Sequence, residues 1–469
     1  MTPAQLAGGF GLPSASASLT GRIEDSFRRR LDALPDQARQ LLLLAAADPS
    51  GDAALVWRAA GRLGLPAQEA APAAEAGLAE FGAQVRFRHP LVRSAAYRSA
   101  SFKDRQRVHG ALAEATDPTA DPDRRAWHRA QAAAGPDEEV AAELEASASR
   151  AQARGGMAAA AAFLERSARL TADPARLVER TLAAAQVSVR SGAFDKALEL
   201  LVMAEAWPLD EFAAARVDLL RGLVAFASGI SSDAPSLLLK AARQLERLNL
   251  GLARETYLDA WGAALAIGHP AAGTMAEISR AVRELPTSLG PSLAELLLDG
   301  LTLLITDGLT AAAPALRRAA EALASDSVSV GDGLRWGYLA TVPPLLLWDD
   351  DGWHAIATRQ VRLARDAGAL ENLPLHLASM GIVTAWSGAF GAAAALIAES
   401  EAVCEATGAR IPSYAALVLA GLRGSQAEAV PLFDAMINAA EAASQSLTAK
   451  TAALTPGTSC VPPAAPSKR

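Results

Sequence analysis

The sequence predicts an all-α protein with one small β-hairpin near its N-terminal end, and three observations carry that expectation. Hydrophobic residues make up 51% of the chain, and the excess is alanine, the best helix former, rather than β-branched residues. Apolar residues recur at helical spacing over most of the 469 residues. Strand-type alternation is confined to residues 78–88.

The elements follow in order. Residues 1–20, MTPAQLAGGFGLPSASASLT, lack periodicity and read as a flexible lead, or as a segment cut from something larger. They also lack the basic and apolar regions of a targeting signal, and no run of about 18 apolar residues follows, so a soluble, cytoplasmic protein is expected. Thr20 is a candidate N-cap for a helix with Ile23, Phe27, Leu31 and Leu34 on one face, and Pro35 opens a second, QARQLLLLAAA. Two short helices are expected around 53–62 and 67–77. In LAEFGAQVRFRHP, Val85 and Phe87 alternate with Arg86 and Arg88, and GAQ supplies a turn. Helices closed by a hairpin make a winged-helix domain, placed at 21–135.

From 136 to 440 the pattern becomes a repeat. Glycine-bearing turns are expected at Gly156, Gly192, Gly229, Gly268, Gly308, Gly352, Gly388 and Gly424, spaced 36 to 44 residues apart between amphipathic runs. The step GAF at 192–194 and again at 388–390, followed by alanine and leucine at helical spacing, is the packing grammar of tetratricopeptide-type helix pairs. Such pairs bury their faces against neighbours and stack into an α-solenoid with a concave surface. Residues 441–469, rich in Pro, Ser and Thr, lose the repeat and read as a disordered tail.

Catalytic motifs are absent from the 469 residues: there is no GxxxxGK[ST], no GxGxxG after a strand, no GxSxG and no HExxH, so no enzymatic activity is expected. His89, His109, His128, His269, His354 and His376 stand at no metal-ligand spacing, and Cys404 and Cys460 form no thiol pattern. The run WDDDGW, 348–353, reads as a solvated turn and helix cap rather than a cation site. The 44 lysines and arginines against 51 acids leave a formal charge of −7, which does not advertise a nucleic-acid binder. Residues 86–107 do gather Arg86, Arg88, Arg93, Arg98, Lys103, Arg105 and Arg107 against Asp104 alone. The helix that would have to read bases, AQEAAPAAEAG, carries Glu69, Glu75 and Pro72 and no Arg or Lys, so specific DNA binding is not expected.

Three stretches, RIEDSFRRRLDALPDQARQLLLLAAADPSGD, VRFRHPLVRSAAYRSAS and DRRAWHRAQAAAGPDEEVAAELEASASRAQARGGMAAAAAFLERSARLT, resemble the central part of the large ATP-binding LuxR-family transcriptional regulators of high-GC actinobacteria. Over roughly 20–430, the resemblance implies a winged helix of signal-transducing ATPase type followed by a tetratricopeptide-like sensor region. It implies a fragment without the ATPase core or the LuxR DNA-binding helices, expected from a truncated or frame-shifted reading frame. It also implies a role for His89 of HPLVR: contact with the diphosphate of bound ADP in a full-length relative, ATP or ADP having no seat in this chain. Read from the residues alone, His89 is as well placed to cap its own helix and pack under Tyr97. The expected function is signal sensing or protein interaction, with a protein, peptide or small inducer in the concave face. Tyr257, Trp261, Trp336, Tyr338, Trp348 and Trp353 are its candidate anchors, although core packing is the commoner use of such residues. The alternatives are a stand-alone tetratricopeptide scaffold and a DNA-binding winged-helix regulator.

Overall fold

The structure is a computed structural model, and it describes residues 27–227, 233–267, 271–286, 292–325, 328–367, 369, 372–435 except 408–413, and 437–438. The expected N-cap Thr20, Ile23, His269, Gly229, Gly268, Cys460, the lead and the tail lie outside these residues. Two compact units divide between Val224 and Ala225.

In the first unit, helix α1 (27–32) precedes α2 (Asp36–Ala47), α3 (Ala53–Arg62), a 3-10 turn (Ala67–Glu69) and α4 (Ala70–Glu75). Strands β1 (Ala79–Phe81) and β2 (Val85–Phe87) pair antiparallel, Glu80 opposite Arg86, and form the single sheet among the described residues. Val85 and Ala79 point inward while Arg86 and Glu80 point to water, the period-two pattern of a half-buried hairpin. The hairpin is pinned to the chain ahead of α3: Val85 N donates to Gly51 O at 2.9 Å. A Cβ at Gly51 would lie 2.7 Å from Val85 O, so only glycine allows this approach. Helices α5 (Pro90–Ser99) and α6 (Phe102–Ala115) then pack on α2, burying Leu41, Leu44, Val92 and Leu112.

Helices α7 (Pro122–Ala132), α8 (Glu138–Ala153), α9 (Met157–Arg169), α10 (Pro174–Arg190) and α11 (Phe194–Glu205) each pack on the one before, and α12 (Glu211–Ala227) follows. The starts of α6, α7, α8 and α10 are written in the sequence: Ser101, Asp121, Asp137 and Asp173 each accept a bond from the backbone amide three residues on. Leu144, Phe163, Leu182 and Leu201 form the spine of the core between them. Arg180, 3% exposed, ties α10 to α8 through Glu138 at 2.8 Å and Glu145 at 3.1 Å.

The second unit runs α13 (Ala234–Leu245), α14 (Leu250–Ile267), α15 (Ala272–Arg283), α16 (Leu293–Thr306) and α17 (Leu309–Ala324), with α14 to α17 each packed on its predecessor. Regular pairing lapses at 330–348. There two short helices, α18 (Val330–Trp336) and α19 (Val342–Leu347), lead to α20 (Asp350–Asp366), α21 (Leu373–Trp386), α22 (Phe390–Thr407), α23 (Tyr414–Leu422) and α24 (426–435).

One turn recurs at four of the expected junctions. At Gly192 the amide bonds Val189 O at 3.1 Å, the next amide reaches back to Ser188 O at 2.9 Å, and Phe194 N bonds Gly192 O at 3.0 Å. Gly388, Gly424 and Gly155 head turns with the same three bonds, all four glycines having φ between 69° and 83°. This is the Schellman closure, which needs a left-handed residue. Two expected turn positions are corrected. Gly156 has φ −80°, because its neighbour Gly155 takes the left-handed place. Gly352 lies inside the first turn of α20, where Asp349 accepts from its amide.

Candidate functional site

His89 is the N-cap of α5. Its Nδ1 accepts from Leu91 N at 3.1 Å, and Pro90 occupies the first helical position, where a missing amide costs nothing. The exposed imidazole stacks on Phe27, with centroids 5.9 Å apart, rather than under Tyr97 as expected from the sequence, and the Tyr97 hydroxyl meets His109 instead. The basic stretch 86–107 is not one surface either. Arg93 Nε turns inward to Ala46 O at 2.9 Å, and Arg105 lies over the Tyr97 ring at 5.6 Å.

Tyr97 begins a buried polar chain that no sequence spacing announced. Its hydroxyl lies 2.8 Å from His109 Nε2, and His109 Nδ1 lies 2.9 Å from His128 Nδ1. His128 Nε2 faces Asp48 Oδ1 at 3.9 Å, a charge–dipole contact longer than a hydrogen bond, and Ser50 Oγ donates to the other carboxylate oxygen. His109, His128 and Asp48 are 2%, 0% and 2% exposed. Burial alone would push the Asp48 carboxyl up, but the contacts with His128 and Ser50 and the charge of Arg124 hold it below the usual range. Burial also drives His109 down to about 3, with the charges of His128, Arg105 and Arg166 acting in the same direction.

One imidazole must donate and the other accept across the 2.9 Å Nδ1–Nδ1 contact, and the Tyr97 hydroxyl can serve either role toward His109 Nε2. No solvent reaches the two imidazoles, so the arrangement orders α2, α5, α6 and α7 rather than exposing a base to a substrate. The signal was invisible beforehand because the histidines stand 19 residues apart on different helices.

In the second unit the six candidate aromatics fall into two groups. Tyr257, Trp261 and Trp336 are 0%, 2% and 1% exposed, and Tyr338 is partly buried against Phe226, with centroids 6.0 Å apart. They cement α14 to the 330–340 stretch. Arg335 lies over the Trp336 ring at 4.3 Å and reaches Asp259 Oδ2 at 3.0 Å as well as Glu255. Burial raises the Asp259 carboxyl to about 6 against the opposing charge of Arg335.

The other group faces water. Trp348 is 79% exposed and stacks on Trp386, itself 40% exposed, with centroids 6.1 Å apart and planes 21° from parallel. Trp353, 5% exposed, meets the Trp386 ring edge-on at 5.3 Å and anchors its own Nε1 on Ser379 Oγ at 3.2 Å. The result is an aromatic ledge with a buried footing. Trp386 was not among the sequence candidates, although it immediately precedes the second recurring turn, SGAF. Trp348 holds φ 54°, ψ 38°, and among the described residues it is the single non-glycine with positive φ. Such a conformation costs about 1–2 kcal/mol in an L-residue. Asp349 caps α20, as expected of WDDDGW, while Asp350 and Asp351 stay exposed in its first turn.

Among the described residues no group of three or more His, Cys, Asp or Glu could hold a metal ion, and no helix is long and apolar enough to cross a membrane. No protein-family model and no curated protein matches the chain. Among solved structures, a Pyrococcus horikoshii signal transduction ATPase with numerous domains and a tetratricopeptide repeat sensor aligns with 95% of this chain and 69% of its own. Sequence identity is 14% and the TM-score 0.36, a likeness too loose to transfer fold or activity.

Proposed function

We propose that the chain is a non-enzymatic, cytoplasmic signal-sensing arm of a LuxR-type transcription regulator. In this reading a winged helix at 21–135 is joined to tetratricopeptide-like helix pairs at 136–440, and the pairs seat a protein, peptide or small inducer. The observation that supports it is the exposed Trp348–Trp386 stack: a large aromatic held in water in a costly backbone conformation. No specific DNA binding and no bound cofactor belong to this reading.

The test is a thermal-shift screen of the full chain against peptides and small aromatic or amphipathic compounds, repeated with Trp348→Gly and Trp386→Ala. Hits that stabilise the wild type and lose their effect in both variants are expected. Magnesium-dependent ATP turnover, or sequence-selective DNA retention at about physiological salt, would overturn the reading.

A further inference from the structure

The charge around the ledge narrows what it can receive. Residues 336–358, which carry Trp348 and Trp353, contain Asp349, Asp350 and Asp351 and neither lysine nor arginine. Residues 373–398, which carry Trp386, contain no Lys, Arg, Asp or Glu at all. The two stretches that carry the indoles thus hold no lysine or arginine, the arginines of α20 starting further along at Arg359, and the three carboxylates follow Trp348 directly. Asp349 is committed to the Gly352 amide but keeps its charge; Asp350 and Asp351 are exposed.

A tryptophan face is electron-rich and attracts cations, and carboxylates beside it add a long-range field of the same sign. A purely apolar ligand would use the rings but gain nothing from the three acids. An anionic ligand would meet the three carboxylates first, while of the arginines further along α20, Arg359 donates to Val328 O and Arg365 to Glu399. Extended basic side chains suit both features, since Lys and Arg lay an alkyl stem on the ring and carry the charge outward to the carboxylates.

We infer that the Trp348–Trp386 ledge is the docking surface for a lysine- or arginine-bearing segment of a partner protein. This rests on the sensing reading above and names the chemistry of its partner. Trp386, footed on Trp353, supplies the fixed platform; Trp348 supplies the outer face; Asp350 and Asp351 supply charge recognition. The association is of the weak, salt-sensitive kind, because the carboxylates are solvated.

The experiment titrates the full chain with a tetra-arginine peptide, a tetraglutamate peptide of equal length, and tetramethylammonium chloride, at low and high salt, by calorimetry. The arginine peptide is expected to bind, with affinity falling as salt rises. Trp348→Gly, Trp386→Ala and the pair Asp350→Asn with Asp351→Asn are each expected to weaken it by about fivefold or more. The doubly amidated variant retains the Asp349 cap, and its melting temperature confirms that it is folded. Three outcomes overturn the inference: equal binding of the glutamate peptide, arginine-peptide binding indifferent to the ledge variants, or tetramethylammonium binding as tightly as the peptide. Should the basic peptide fail while uncharged hits from the thermal-shift screen still depend on Trp348, the sensing reading stands and the cationic partner does not.

Discussion

His109 and His128 meet Nδ1 to Nδ1 at 2.9 Å, with no water-exposed surface on His128. Two imidazoles in that geometry share one proton between their Nδ1 atoms. The contact joins α6 to α7, the last helix of the hairpin-bearing region to the first of the helical succession.

Removing one member leaves the others buried without partners. His128→Ala is expected to destabilise the chain by roughly 2–4 kcal/mol, combining a cavity with an unpaired Nδ1 on His109. Asp48→Asn, which keeps the shape, is expected to disturb the tautomers instead. Urea unfolding reads the first effect, and nitrogen-15 histidine spectra the second, as a change in which ring nitrogen of His128 is protonated.

Acid should weaken the fold through its buried imidazoles. His109 is held down to about 3 and His376 to about 4, both by burial. The unfolded state thus binds more protons than the folded one below the ordinary histidine value of 6.5. Their stabilising contribution is complete above that value and is lost as pH falls toward the folded ones, at up to about 1.4 kcal/mol per pH unit for each group. Asp259, raised to about 6, acts in the opposite sense. Its contribution is present below the ordinary carboxyl value and is lost as pH rises through 6. Asp259→Asn is therefore expected to steepen the loss of stability between pH 6 and 4, measured by urea midpoints at stepped pH.

The approach of α14 to the 330–340 stretch depends on Gly262. A Cβ there would stand 2.8 and 2.9 Å from Cε2 and Cζ of Tyr338 and overlap its hydroxyl. Gly262→Ala is expected to cost about 1–3 kcal/mol through displaced packing. The Tyr338 hydroxyl is itself buried without a hydrogen-bond partner, so Tyr338→Phe is expected to leave stability unchanged or raise it. Thermal melts of the two single variants and the double variant measure the coupling.

Trp348→Gly separates stability from recognition. Glycine adopts the left-handed conformation freely, and the exposed indole gives up little burial, so the melting temperature is expected to hold or rise by up to about 4 °C. Trp348→Ala, which retains a Cβ in the same conformation, should not show that rise.

Much of the architecture was legible because it is written locally. Alternation at Val85 and Phe87 marks the hairpin, the acidic run at 349–351 marks the cap of α20, and the GAF steps mark two of the recurring turns. Positions set by the neighbour alone shift by one: Gly155 and Gly156 are equivalent in sequence, and only the bonding to Ala151 and Gln152 chooses between them. The site was less legible. Which of six aromatics face water depends on packing between helices far apart in the chain, and the interruption at 330–348, which turns Trp348 outward, has no periodicity to betray it. The Tyr97–His109–His128–Asp48 chain is assembled from three helices and the residue that ends a fourth, so no window of sequence contains it.

The nearest-neighbour packing of α8 through α11 bears on how the protein is made. Each of these helices rests on the one synthesised just before it, and each turn closes through bonds spanning only a few residues. Native contacts of short sequence separation form quickly, since little chain entropy is lost in closing them. This part of the polypeptide can therefore settle helix by helix as it leaves the ribosome, without waiting for a distant segment. The polar chain behind it sets the starting point, for α7 is positioned by His109 and Asp48, which have already emerged when His128 arrives.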